Sequence, residues 1–158
     1  MIDLQDVKRQ CNGLLQVLSE RRSSLLEALT HYESYHTAED EIARAIDTLE
    51  NIDVEFKYFT KTVPKLSTFF PLNLPLYSLV LFAIVPSFMA EKVYVRAPLE
   101  MRPTLARVRE ILSLEELFPH VQVLDVSRGE FLEESVKGSD AVLFTGKYKN
   151  AVKILEQL

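Results

Sequence analysis

The sequence predicts an α/β fold in which a helical hairpin precedes a parallel β-sheet. Two long amphipathic patterns with helical spacing fill the first 64 residues. After them, short apolar runs typical of strands alternate with helical patterns in the order β-α-β-α-β-α-β-α. Such alternation calls for parallel strands joined by right-handed crossovers, with helices on both faces of the sheet. We divide the chain into a hairpin, 1–64, and a Rossmann-like α/β unit, 65–158, that together form one compact domain.

Composition and charge narrow the function classes. The 158 residues are 47% hydrophobic and 26% charged, which suits a folded globular chain. The net charge of −5 argues against a nucleic-acid partner, because phosphate backbones need a basic face. The single cysteine, Cys11, permits neither an internal disulfide nor a cysteine-based zinc cluster. We expect no metal and, since the N-terminus has no signal-peptide pattern, a cytoplasmic protein.

The hairpin is predicted from two apolar stripes. The first helix covers 3–30 with Asp3 as N-cap, and Cys11 lies on its stripe as a core thiol. A polar turn, 31–37, contains His31 and His36, which lack a third ligand for zinc. The segment Thr37–Asp40 resembles a capping box that opens a second helix ending near Thr62, before Pro64.

The elements of the α/β unit follow from the changes of pattern after Pro64. They are a strand Leu66–Phe70, a turn Pro71–Pro75, a helix Leu76–Ala90 kinked or restarted at Pro86, a strand Lys92–Ala97, a helix Pro103–Leu114, a strand Val121–Val126, a short helix Gly129–Lys137 ended by Gly138, a strand Ala141–Phe144 and a last helix Lys147–Leu158.

Residues 66–90 carry no charge, so they are buried either in protein or in lipid. A span of membrane length would have to include the Pro71–Pro75 turn, and a turn is not stable when exposed to hydrocarbon. We therefore interpret Leu76–Ala90 as a buried crossover helix and expect no membrane partner.

Parallel α/β sheets bind ligands beyond the carboxyl ends of their strands. Three loops are predicted there: Pro71–Pro75, Arg96–Met101 and Thr145–Tyr148. The four glycines form neither a Gly-x-Gly-x-x-Gly fingerprint nor a P-loop. Any nucleotide site must therefore use other groups.

Each of these loops carries a candidate functional group that also has a purely structural interpretation. Asn73 can donate its amide to an oxyanion, or bond its own backbone in the turn. Arg96 can reach a phosphate or ribose oxygen, or remain a solvated charge. Thr145-Gly146 can place helix amides and Lys147 beside an anion, or Lys147 and Lys149 can be ordinary surface lysines.

The same three loops carry a family resemblance. Phe69-Phe70-Pro71-Leu72-Asn73-Leu74-Pro75-Leu76 resembles the Pro-Trp-Asn-Phe/Tyr-Pro-Leu segment of aldehyde dehydrogenases. Val93-Tyr94-Val95-Arg96-Ala97-Pro98 and Phe144-Thr145-Gly146-Lys147 resemble that family's Val-Val-Val-Lys-Pro and Phe-Thr-Gly-Ser motifs. The spacing from Asn73 to Arg96 also matches the family's. Upstream, Glu20–Arg22 and Arg44–Leu49 resemble the helical pair that precedes this domain, and the related acyl-CoA reductases are an equal candidate.

The resemblance implies half of an aldehyde-dehydrogenase-type domain and a set of site residues. Asn73 takes the oxyanion position. Arg96, with Pro98 and Glu100 in the same loop, takes the place of the strand end that contacts the adenosine ribose or its 2′-phosphate. Thr145, Gly146 and Lys147 take the place of the turn beside the pyrophosphate. NAD or NADP is the implied cofactor.

The departures from the family bear on activity. Lys147 replaces a serine, Ala151 replaces a glycine, and Leu99 stands where a glutamate is expected, although Glu100 is adjacent. We expect no nucleophilic cysteine and no general-base glutamate within this sequence, and Cys11 in the first helix cannot replace the nucleophile. An oxyanion donor without a nucleophile stabilises nothing.

Three functions remain open at the level of sequence. The first is a non-catalytic remnant that binds a nucleotide or a protein. The second is the cofactor-binding half of a split NAD(P)-dependent aldehyde or acyl-CoA oxidoreductase completed by a partner chain. The third is a truncated reading frame that folds without function. Because Ala141–Phe144 would leave an open sheet edge, we predict a homo-oligomer or a complementary protein chain as partner.

Overall fold

The structure is a computed structural model that describes residues 2–157. Its first helical stretch is divided into α1 (Leu4–Glu20) and α2 (Arg22–Thr30), whereas one helix over 3–30 was predicted. Asp3 caps α1 as expected, since its side chain accepts from the Gln5 amide. The break falls at Arg21, whose guanidinium reaches across the chain to donate to the Ile111 carbonyl at 2.6 Å. A long-range contact therefore interrupts a pattern that is locally continuous.

The second helical stretch consists of α3 (Tyr35–Glu50) and α4 (Ile52–Phe56). The predicted Thr37 capping box was wrong, because the N-cap is Ser34, whose hydroxyl accepts from the Thr37 amide. The predicted end near Thr62 was also wrong. Asn51 separates the two helices, and its side chain donates to the Asp47 carbonyl. The helical stretch therefore ends one and a half turns early.

The first strand is β1 (Val63–Phe69), which begins earlier than the predicted Leu66 and includes Pro64. It leads through the predicted turn into α5 (Pro75–Leu79), a π-helical turn (Val80–Ile84) and α6 (Val85–Ser87). The expectation of a kink or restart at Pro86 corresponds to this change of helix type just before the proline, which has no N–H to donate.

The chain continues with β2 (Ala90–Arg96), a 3₁₀ turn (Leu99–Met101), α7 (Arg102–Leu112) and α8 (Leu114–Leu117). Next comes β3 (Val121–Val123), which is half as long as the strand predicted to Val126. The Leu124 amide still donates to the Val95 carbonyl. Beyond it, the Val126 carbonyl accepts from arginine side chains instead of a strand.

The last elements are α9 (Arg128–Phe131), a π-helical turn (Leu132–Val136), β4 (Ala141–Phe144) and α10 (Tyr148–Glu156). Gly138 follows the π-helical turn with a φ of 84°, the left-handed conformation expected of a residue that ends a helix. The final helix begins at Tyr148 rather than at Lys147, which is its N-cap. Its predicted end, Leu158, lies outside the described residues.

The four strands form one parallel sheet in the order β3-β2-β1-β4, so the predicted parallel α/β fold is confirmed. One face, here called the hairpin face, packs on the N-terminal helices and on α5–α8 around a large apolar core. The opposite face, here called the α10 face, packs on α9 and α10 around a smaller core centred on Phe69, Phe131 and Ile154. No helix among residues 2–157 is both long and apolar enough to cross a membrane.

Candidate functional site

The three predicted loops begin side by side at the carboxyl edge of the sheet. Phe69, the last residue of β1, pairs with Arg96 of β2 on one side and with Phe144 of β4 on the other. The Asn73 turn, the loop after Arg96 and the turn at Thr145 therefore leave three adjacent strands at the same level. The structure thus brings the predicted site residues to one edge, as parallel topology requires.

The Asn73 turn is held in a strained backbone conformation. Leu74 has a φ of 58°, which is unfavourable for a residue with a Cβ. The Tyr32 hydroxyl donates to the Leu72 carbonyl, and the Ser78 hydroxyl donates to the Asn73 carbonyl at 3.1 Å. These bonds use backbone oxygens, so the exposed Asn73 side chain is free to face the edge of the sheet.

A buried carboxyl group binds the start of α5, the helix that follows this turn. Glu41 of α3 is 1% exposed, and its Oε1 accepts from the Tyr77 amide in the first turn of α5 at 2.9 Å. Burial, followed by the neighbouring Glu33 carboxyl group, raises the pKa of Glu41 to about 9, against the opposing effect of the Tyr77 amide. Neither Oε2 of Glu41 nor Oε1 of Glu33 has a hydrogen-bond partner, although both atoms are buried. The raised pKa keeps Glu41 protonated at neutral pH, so that its own O–H can serve as a donor in this buried setting.

Three guanidinium groups gather where β2 and β3 end. The Nε of Arg96 donates to the Val126 carbonyl at 3.1 Å, and Nη2 of Arg102 donates to the same oxygen at 2.6 Å. Arg102 also donates to the Ala97 carbonyl and lies 3.8 Å from the carboxylate of Asp125. Arg128 is the third member of this group, which we call the arginine cluster.

The electrostatics of the arginine cluster favour an anion. Partial burial, followed by the positive charges of Arg102 and Arg128, lowers the pKa of Arg96. The nearest acid, Asp125, is 63% exposed and 3.8 Å from Arg102, so it neutralises the group only weakly. The two Nη atoms of Arg96 form no hydrogen bond with described residues and remain available to a ligand.

The loop after Arg96 connects the arginine cluster, through Ala97, with the side of the Asn73 turn. The Pro98 carbonyl accepts from the Met101 amide and so closes the 3₁₀ turn that contains Glu100. The negative charge of Glu100 contributes, after burial, to the raised pKa of Tyr32. Glu100 therefore lies on the side of the Asn73 turn, next to the tyrosine that holds that turn.

The turn after β4 is the most exposed part of the site. Thr145, Gly146 and Lys147 are all solvent-exposed. A Cβ at Gly146 would lie 2.7 Å from Cζ of Phe144, so a larger residue there would require the Phe144 ring to shift. The amides at the start of α10 face solvent beyond Lys147, at the same edge as the arginine cluster.

The only thiol is far from this edge in the chain and is not activated. Cys11 is 1% exposed within α1, and burial raises its pKa to about 12. A thiol in that setting is not a nucleophile at neutral pH. Among residues 2–157 there is also no group of three or more His, Cys, Asp or Glu side chains that could hold a metal ion.

Sequence reasoning placed the three loops together but missed four groups. No sequence motif identified Arg102 or Arg128. An arginine at the start of a helix that follows a strand could, however, have indicated both residues. Glu41 and Tyr32 lie in the hairpin, and only the tertiary fold brings them under the Asn73 turn.

Comparison with solved structures identifies the fold. The chain superposes on a succinic semialdehyde dehydrogenase from Streptococcus pyogenes in complex with NADP+, with a TM-score of 0.79 and 14% sequence identity. The chain has the fold of a Rossmann-like half-domain of an aldehyde dehydrogenase. The match covers 98% of this chain and 38% of the dehydrogenase, so the chain spans well under half the length of that enzyme. No protein-family model and no curated protein sequence matches it.

Proposed function

We propose that this chain is an aldehyde-dehydrogenase-like protein that binds a phosphate-bearing nucleotide at the carboxyl edge of its sheet and lacks catalytic competence of its own. NADP is the nucleotide that the site suits best, and NAD is the weaker ligand. The observation that carries the proposal is the arginine cluster, which leaves uncompensated positive charge where parallel α/β folds bind ligands.

The donor set of the cluster suits a phosphate monoester. Arginine presents a planar fork of N–H groups that matches two phosphate oxygens, and such charge-assisted bonds are roughly twice as strong as neutral ones. Arg96 is pre-positioned because its Nε is already bonded to the Val126 carbonyl. Its remaining donors would take the adenosine 2′-phosphate, with Arg128 reaching the same group from the start of α9.

The rest of the edge would hold the remainder of the dinucleotide. Thr145, Gly146 and Lys147 would lie beside the pyrophosphate, where Lys147 adds a positive charge. Pro98 and Glu100 would border the ribose side of the site. Bound NADP would supply a nicotinamide ring that accepts hydride. Asn73 takes the oxyanion position of the fold, in our proposal as a vestige, because no nucleophile accompanies it.

The absence of catalytic competence rests on the chemistry of the thiol. Cys11 is the only cysteine in the 158 residues, and it is buried with a pKa raised to about 12. A thioester mechanism needs a thiolate within reach of the oxyanion donor. This chain alone would therefore bind a nucleotide without oxidising an aldehyde.

Isothermal titration calorimetry with NADP and NAD tests the proposal. We expect NADP to bind more tightly than NAD, and Arg96→Gln to weaken NADP binding by about tenfold or more, since one charge-assisted bond contributes about 1.5–3 kcal/mol. Arg128→Gln should weaken NADP binding to a smaller extent and leave NAD binding unchanged. Arg9→Gln, at an exposed ion pair on α1, is the matched control. Equal binding of NADP by the wild type and by Arg96→Gln would rule out the assignment.

A second candidate function is the cofactor-binding half of a split aldehyde or acyl-CoA oxidoreductase. It is favoured by the half-buried strand β4 at the edge of the sheet, which a further chain could cover. A partner chain would then supply the thiol and the second domain. Affinity purification from the source cell tests it. Recovery of a cysteine-bearing partner that restores NADP-dependent aldehyde oxidation would support it, and purification of this chain alone would count against it.

A further inference from the structure

Strand β4 is an unfinished edge of the sheet. The last four residues of β1, Leu66–Phe69, are buried, whereas all four residues of β4 are only half-buried. The strand pairs with β1 on one side, and among the described residues no strand pairs with its other side. Its sequence, Ala-Val-Leu-Phe, contains no charge and no proline, the two devices that commonly protect an exposed edge.

Apolar grooves flank this edge on both faces of the sheet. On the hairpin face, a cavity of about 340 Å³ is lined mainly by apolar side chains, among them Leu66, Pro86, Met89, Ala141 and Leu143. On the α10 face, a cavity of about 220 Å³ is lined by Val142, Phe144, Ala151, Ile154 and Leu155. Leu155 is 67% exposed there. An added strand with apolar side chains on both of its faces would fill the two grooves at once.

The ends of β4 carry opposite charges. Asp140 precedes the strand and is exposed, and Lys147 and Lys149 follow it. Neither lysine forms an ion pair within residues 2–157. An antiparallel partner strand that complements this edge is apolar in the middle, acidic at its start and basic at its end. β4 itself has this sequence.

We propose that β4 pairs antiparallel with β4 of a second copy of this chain, across a two-fold axis perpendicular to the sheet. This axis makes each face of one sheet continuous with the same face of the other, so that each apolar groove meets its own copy. The start of one strand then lies beside the end of the other, which places Asp140 near Lys147 of the second copy. A parallel pairing would instead bring the lysine-bearing ends together. The pairing is argued from β4 and its two grooves, and it shares only Lys147 with the proposed pyrophosphate contact.

Sedimentation-velocity ultracentrifugation over a concentration series tests the surface. We expect a monomer–dimer equilibrium that ends at twice the chain mass of 18.1 kDa. Leu155→Lys and Leu143→Lys should weaken the dimer by about tenfold or more, because each removes apolar area from a groove and adds a charge. Val54→Lys, at a residue of α4 that is 53% exposed, should leave the dimer unchanged. Leu155→Lys alters an exposed position, so its effect cannot be attributed to misfolding.

A charge-reversal experiment tests the orientation. Lys147→Glu alone places acid against Asp140 of the second copy, and Asp140→Lys alone places lysine against lysine, so both variants should dimerise more weakly than the wild type. Asp140→Lys also removes the acceptor of the Lys65 amide, so circular dichroism checks that this variant remains folded. An equimolar mixture of the two variants restores both opposite-charge contacts and should recover dimerisation as a heterodimer. A monomer at all concentrations, a dimer that tolerates both groove variants, growth beyond the dimer, or no recovery in the mixture would each overturn the proposal.

Discussion

The two sides of the sheet differ in how completely they are covered. On the β3 side, Val93 and Val95 of β2 are 0% exposed, and Val121 of the edge strand β3 is 3% exposed. On the β4 side, every strand residue is half-buried, and grooves remain on both faces. Both sides belong to one fold and present their loops at the same edge. Strand β4 therefore contributes its loop to the candidate site although the apolar core around the strand is incomplete.

This difference divides the candidate site. The arginine cluster stands on the covered side, where Arg96 and Arg102 are fixed by bonds to backbone carbonyls. The Thr145–Lys147 turn stands on the uncovered side and is exposed. We therefore expect the phosphate monoester end of a nucleotide to bind to groups that hydrogen bonds hold in place, and the pyrophosphate end to bind to an exposed turn.

The largest expected effect comes from truncating one leucine on each side. Leu79→Ala removes a fully buried side chain of the main core and should lower the free energy of unfolding by about 2–5 kcal/mol. Leu143→Ala, on half-buried β4, should lower it by about 1 kcal/mol, since less area is lost and no closed cavity forms. Urea denaturation at low protein concentration measures both. Equal losses would contradict the comparison.

Comparable in size is the pH dependence that comes from Glu41 on the covered side. Because its pKa is raised from 4.5 to about 9, the folded state binds a proton that the unfolded state has released. Stability should therefore fall as pH rises between these values, by up to about 1.4 kcal/mol per pH unit for one proton. Glu41→Gln keeps an acceptor for the Tyr77 amide and should flatten this dependence.

Thermal unfolding at pH 6 and pH 8.5 checks the effect of Glu41. The wild type should unfold at a higher temperature at pH 6, and Glu41→Gln should be more stable than the wild type at pH 8.5. Glu50→Gln at the exposed end of the same helix should keep the wild-type slope. A wild type with no slope would show that the pKa of Glu41 is not raised in the folded state.

The smallest effect concerns two glycines on the β4 side. Gly138→Ala forces a Cβ onto a φ of 84° and should cost about 1 kcal/mol. Gly129→Ala lies in helix α9 with no contact closer than 4.0 Å and should stabilise by about 0.5–1 kcal/mol. Chemical denaturation of the two variants should give changes in the free energy of unfolding of opposite sign. Destabilisation of similar size in both would break that expectation.

Local patterns were sufficient to predict the order of elements and the parallel sheet. The apolar stripe of the first helix, the turn between Pro71 and Pro75 and the strand Ala141–Phe144 each reflect nearest-neighbour preferences. Their alternation determines topology, and topology places three loops at one edge. The site loops were therefore predictable without any contact information.

Long-range contacts account for what was missed. The helix is interrupted at Arg21 because its guanidinium donates a hydrogen bond to the Ile111 carbonyl, which is 90 residues away in the sequence. β3 ends early because arginine side chains take the Val126 carbonyl. Glu41 is a polar residue within a helix, and no residue near it in the sequence indicates that it is only 1% exposed. Each depends on a partner that no local pattern identifies.

The most direct measurement of the central claim is an amide NMR titration of the protein with 2′-AMP, which carries the phosphate monoester without the pyrophosphate. We predict saturable shifts at Arg96, Arg102, Val126 and Arg128, little change at Thr145–Lys147, and loss of the response in Arg96→Gln. Shifts of equal size with 5′-AMP, or none at the arginine cluster with 2′-AMP, would contradict it.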